Sequence, residues 1–208
     1  MIIVSSFKLI FNEIEKYFIV KTEEILNCPL CNGNLKYRDS VFRKLKNMAS
    51  EAALFLIRRL LCQECNALHR ELPDIIQPYK HYESSVIQAV IDGSKEALCC
   101  AADNATIRRW KAGFAGAESD INQRISSVYA RMTDNTLALA ATEDILDRLR
   151  NCKKRWLPFV ISLLINSGHK ICTEFAFFLS DDSAKVSSAR KNIVERGGKN
   201  VKTIEDTS

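Results

Sequence analysis

Two Cys-x-x-Cys pairs, a trio of short helical segments and a long helical run after them predict the fold class. The expected protein is mostly α, with a small β ribbon around the cysteines, a helix-turn-helix and a C-terminal helical bundle. Five segments follow: an N-terminal amphipathic arm (1–26), the ribbon (27–78), the helix-turn-helix (79–116), a helical region (117–180) and a polar tail expected to be disordered (181–208).

The arm carries Phe7, Ile10, Phe11, Ile14 and Phe18 at helical spacing, with Ser5 or Ser6 as N-cap. Ile2-Ile3-Val4 and Phe18-Ile19-Val20 leave short strands open as the alternative. The arm packs on the rest of the chain or, as a second reading, forms a homodimer helix.

Cys28-Pro29-Leu30-Cys31 and Cys62-Gln63-Glu64-Cys65 read as a tetrahedral zinc site, because zinc takes four thiolates and fills its shell with them. Asn32-Gly33 and Asn66 follow the pairs and tolerate the left-handed backbone of a tight knuckle. The 30 residues between the pairs exceed the usual interval, so a long hairpin or an inserted element is required. Such a closed site, one structural zinc ion, stabilises a fold and does no chemistry. His69 is a conceivable substitute ligand but, with four cysteines available, is read as an ordinary residue. Leu35–Arg38 is expected as a strand, Leu54–Leu61 as a strand or helix, and residues 40–53 as a hairpin or helix. Arg58 and Arg59 either contact nucleic-acid phosphates or are simply solvated. Pro73 and Pro78 stiffen the connector beyond.

Val86–Ile91 reads as a helix closed by Asp92-Gly93, followed by a second from Ser94 to about Ala102 and a third from Ala105 to Phe114. Ala97, Ala101, Ile107 and Trp110 sit where a helix-turn-helix needs small and apolar residues. On that reading Asn104, Thr106, Arg108, Arg109 and Lys111 face DNA, and Trp110 anchors the core. A three-helix bundle with a solvated basic helix is the alternative.

Further on, Ile121, Ile125, Val128 and Met132 repeat at helical spacing, as do Leu137, Ala141, Ile145 and Leu149. Asn151–Arg155 supplies a basic helix end. Leu157–Ile165 and Ile171–Leu179 read as apolar helices packed on each other. The apolar run from Trp156 is too short to span a membrane. Cys99, Cys100, Cys152 and Cys172 show no ligand spacing and are expected as buried small residues. Free thiols and no visible export signal suggest a cytoplasmic protein.

Net charge is +5, and residues 27–116 hold 13 Lys/Arg against 9 Asp/Glu. That mild surplus fits a polyanion partner. Cys28–Cys31, Ile57–Cys65, His69–Asp74, Pro78–Tyr82 and Thr106–Trp110 together resemble an uncharacterised bacterial family, similar to the N-terminal zinc ribbon and helix-turn-helix of insertion-sequence transposases. The resemblance covers about residues 27–116. It implies zinc on the four cysteines and DNA binding, transposase-like or regulatory and tied to mobile elements. It does not imply strand transfer, since no carboxylate triad on strands is found. A zinc-stapled protein-interaction module is the runner-up. An enzyme is the weakest reading, because Cys99 and Cys100 have no evident histidine base.

Overall fold

The computed structural model describes residues 1–133 and 145–168. It corrects the mostly α expectation: a mixed six-stranded sheet, curled as a half-barrel, carries the first half of the chain. The strands are β1 (Ile2–Val4), β2 (Lys8–Asn12), β3 (Tyr17–Lys21), β4 (Leu35–Lys46), β5 (Ala52–Cys62) and β6 (Leu68–Pro73).

β5 is the axis of the sheet. It pairs antiparallel with β4 along one edge, and on the other with β3 in parallel near its start and with β6 antiparallel near its end. The long interval between the cysteine pairs is therefore one hairpin. Alternating Val41, Leu45, Phe55 and Ile57 turn apolar side chains inward, which a strand with period two achieves. Asn47 closes the turn: its Oδ1 accepts from the backbone N–H groups of Ala49 and Glu51, and Ser50 takes φ +62°. Burial along β5 passes from Phe55 and Ile57 to Leu60 and Cys62, a change of face. The register shift between Tyr37 and Asp39 of β4 lies opposite this point and supplies the extra twist.

The arm is not a helix. Phe7, Ile10, Phe11, Ile14 and Phe18 fall on β2, β3 and their flanking turns. Asn12 Oδ1 accepts from the N–H groups of Ile14 and Glu15, and Lys16 sits at φ +59°. Helical spacing loses here because partner strands were at hand. β2 pairs β3, and β3 stacks Phe18 on Phe55 with ring centroids 5.2 Å apart. β1, buried at all three residues, lies parallel to β6.

Helices α1 (Ser84–Asp92), α2 (Asn104–Thr133), α3 (Ile145–Cys152) and α4 (Trp156–Asn166) form the second half. Gly93, at φ +62°, ends α1 as its sequence implies. The helix-turn-helix does not form. Its expected second helix is one 3-10 turn, Lys95–Cys99, with no buried residue and Leu98 87% exposed. Ala101, expected at a close helix crossing, is exposed, and its N–H bonds instead to Met48 O at the hairpin tip. The expected third helix is only the opening of the 30-residue α2. Trp110, Phe114, Ala117, Ile121, Ile125 and Val128 make one buried stripe, which runs past exposed Gly116 without a break.

That stripe meets α1, α3 and α4 in a helical core around Trp156, whose Nε1 donates to Asp92. A second core lies under the sheet, and Ile161 of α4 touches both. Asn166 at the end of α4 fastens the two halves: it accepts from Ile3 N–H and donates to Ile3 O, closing the free edge of β1. Cys99 and Cys152 are exposed and Cys100 is half-buried, contrary to the buried role expected of them. Cys172, the side chain of Met132, Leu137, Ala141, the helix expected at residues 171–179 and the tail from residue 181 lie outside the described residues. Among the described residues, no helix is long and apolar enough to cross a membrane.

Candidate metal centre and basic cleft

Two knuckles face each other across the base of the hairpin. In the first, Cys28 N–H bonds Gly33 O at 2.9 Å and Asn32 N–H bonds Cys28 O at 2.8 Å, with Asn32 at φ +60°. In the second, Cys62 N–H bonds Ala67 O at 2.9 Å, with Asn66 at φ +57°. The asparagines thus take the left-handed positions the sequence assigns them. Gly33 is required for another reason: a Cβ there would meet Glu64 Cγ at 2.3 Å. The second knuckle packs that tightly on the first, and Gln63 N–H bonds Asn34 O across the gap.

The sulfurs of Cys28, Cys31, Cys62 and Cys65 all lie within 4.8 Å of one another. Cys28 and Cys65 are 3.7 Å apart, and Cys31 and Cys62 are 3.4 Å apart. Metal–sulfur bonds of about 2.3 Å would put tetrahedral sulfurs about 3.8 Å apart, so the cage already has the size of one ion. Its electrostatics demand one. Backbone N–H groups, first that of Cys65, bring the Cys62 thiol down to about 7. The Gly33 N–H also lowers Cys31, yet the surrounding sulfurs of Cys62 and Cys65 push it up to about 12. Four thiolates cannot ionise together at this distance without a cation between them.

Sequence reasoning missed one partner of the site. His69, buried on β6, places Nε2 3.3 Å from Cys28 Sγ and Nδ1 3.2 Å from the Met1 amino nitrogen. Burial first, and then the positive amino group, lower its pKa, which keeps the ring neutral. A neutral ring with its proton on Nε2 donates to the sulfur and accepts from the amine. The signal available was its position four residues after Cys65, but no spacing rule assigns such a role.

The arginines beside the second knuckle are engaged. Arg58 grips Glu71 through Nε and Nη2 at 2.6 and 2.8 Å, and Glu71 is buried. Arg59 holds Asp39 in the same two-pronged way. The Arg59 guanidinium keeps the Asp39 carboxyl below its usual range. At the start of α2, Asp103 accepts from the Thr106 N–H and hydroxyl, capping the helix. Asn104, Arg108, Arg109 and Lys111 are exposed, and Trp110 is buried against Tyr82.

Where the hairpin, the connector at residues 79–82 and α2 meet, a cleft of about 720 Å³ opens. Arg43, Lys44, Arg70, Lys80, His81 and Arg109 line it, and among the described residues no carboxylate does. The sequence scatters these residues over 67 positions, so no motif announces them. Burial first, then Arg70, lowers Arg43 to about 10. Burial first, then Arg109, lowers Lys80 to about 8. Like charges gathered in a partly buried cleft repel one another, which adds to the lowering of both values.

Residues 28–110 match a family described as a domain of unknown function, DUF6431. The match begins at the first metal-site cysteine and ends at Trp110, so it takes in both cysteine pairs and the cleft. No curated protein and no solved structure matches the chain.

Proposed function

We propose that the chain is a zinc-dependent DNA-binding protein, transposase-like or regulatory, that binds its partner rather than transforming it and works in the cytoplasm. Zinc is the ion that four thiolates in a closed, redox-silent tetrahedron suit best. The observation carrying the DNA reading is the cleft: cationic residues from β4, β6, the connector and α2 line one concavity, with no carboxylate among the described residues there. Exposed Arg108 and Lys111 extend the charge along the first turns of α2. The metal's part is indirect. It fixes the base of the hairpin, and the hairpin presents Arg43 and Lys44.

A salt titration of the zinc-loaded chain on labelled DNA, read by fluorescence anisotropy, tests this. About five phosphate contacts give a log–log slope near −4, and replacing Arg108 and Arg109 by alanine flattens it with helicity unchanged. Binding that is absent, or indifferent to salt, overturns the proposal.

One observation favours the protein-interaction reading. Leu9, Ile10 and Phe11 of edge strand β2 are 40 to 44% exposed, and Ile14 in its turn is 93% exposed. Sedimentation at rising concentration distinguishes the two: self-association abolished by Phe11→Asp, with no DNA bound, supports an interaction module.

A further inference from the structure

Tyr79 lies on the rim of the basic cleft with a backbone φ of +60° and its side chain 52% exposed. A bulky residue held in the left-handed region is uncommon, and such strain gathers at functional sites. Its neighbours impose it. Arg43 Nη2 donates to both Gln77 O and Lys80 O, at 2.8 and 2.7 Å, which clamps the connector on either side of Tyr79. The same arginine's Nε is buried with no hydrogen-bond partner among the described residues. An aromatic ring is thus displayed at the mouth of a cavity whose walls are cationic.

The cavity is not alone. A second hollow of about 440 Å³ adjoins it and shares two residues with it, Arg70 and Tyr79. Spaces of this size each enclose one small ligand. A duplex cannot enter them, whereas a flexible single strand can lay a phosphate in the cleft and a base on the ring beside it. Cations along a groove with aromatic faces between them are how single strands are held without regard to sequence. The end of α2 contributes little, because Asp103 already occupies it.

We propose that this cleft takes an unpaired nucleotide of a single-stranded nucleic acid, its phosphate among Arg43, Arg70, Lys80 and Arg109 and its base stacked on Tyr79. The proposal rests on the DNA reading above and narrows it: the preferred form is a single strand. Stacking supplies affinity that salt does not remove, so single strands are held when duplex has been released.

The test uses the full zinc-loaded chain, a labelled oligothymidylate of about twelve nucleotides and a blunt duplex of equal length. The single strand binds about tenfold or more tightly than the duplex. Tyr79→Gly removes the ring and also relieves the backbone, so the variant folds, as circular dichroism and zinc content check. It loses about tenfold in single-strand affinity, and Tyr79→Phe keeps it. Arg70→Gln weakens the same binding without touching the ring. Equal affinity for both forms, or single-strand binding indifferent to Tyr79→Gly, overturns the inference and leaves DNA binding standing. Failure to bind either probe overturns both.

Discussion

The two halves of this molecule are stabilised by different means. The helical half gathers its apolar residues into one large core, from Val86 of α1 to Leu164 of α4. Under the sheet the core is smaller, with eight buried residues among those described, and in the two knuckles themselves Cys28 and Cys62 are the buried residues. What that end lacks in apolar area it replaces with a cage of four thiols placed for a metal, an ion pair between half-exposed Arg58 and buried Glu71, and left-handed asparagines. Helices can be stabilised by burying a stripe, but a two-stranded ribbon has too little interior and takes its order from a cross-link.

The sharpest way to break this contrast is at the metal. Cys62→Ser, or a strong chelator, removes the ion and with it an apparent stabilisation on the order of 10 kcal/mol in the ribbon. On the proposed zinc reading, metal content falls from one ion per chain to none, and hydrogen exchange rises over residues 28–73 well before it does over α1, α2 and α4. If exchange rises equally in both halves, the contrast is false. Trp156→Ala attacks the other half. Opening a cavity beside Phe114 and deleting the bond to Asp92 costs about 3 to 5 kcal/mol in a urea melt, with zinc content unchanged.

Arg58→Ala is the next smaller step. It leaves the Glu71 carboxylate buried and unpaired, and because Arg58 is itself 38% exposed at its side chain, the loss is discounted to about 1 to 3 kcal/mol. Glu71→Gln recovers part of it. The variant separates a structural arginine from a DNA contact: stability falls, and the salt slope of DNA binding stays within one contact of wild type. The smallest effect concerns pH. Lys80, facing Arg109 across the cleft with Arg43, Arg70 and His81 around it, is charged below about 8. On the proposed nucleic-acid reading, affinity for an oligonucleotide is therefore full below that value and weakens a fewfold as pH rises through it, whereas the arginine charges persist. Lys80→Met flattens the profile, read by anisotropy from pH 7 to 9.

The metal site was legible because it is local. Two residues between cysteines set each bite, and the neighbouring Asn32, Gly33 and Asn66 hold the backbone that makes it. Gly93 and Trp110 were legible for the same reason, one through its lack of a side chain and the other through its apolar bulk. Residues 7–18 were misread because their spacing suits a helix, and only the presence of β5 beside them selects strands. The segment after Gly93 failed differently. Its small residues match a helix-turn-helix pattern, but Leu98 finds nothing to pack on, and one uninterrupted stripe extends the next helix to 30 residues.

Sequence alone determined the thiol cage and its knuckles, since their chemistry is complete within a few bonds of each cysteine. Tertiary structure decided which cations meet carboxylates and which meet one another. Arg58 and Arg59 meet carboxylates 13 and 20 residues away, while Arg43, Arg70, Lys80 and Arg109 line one cleft with no carboxylate among the described residues there. Charge is a property of the residue, but its partner is a property of the fold, because Coulomb attraction acts through space and not along the chain.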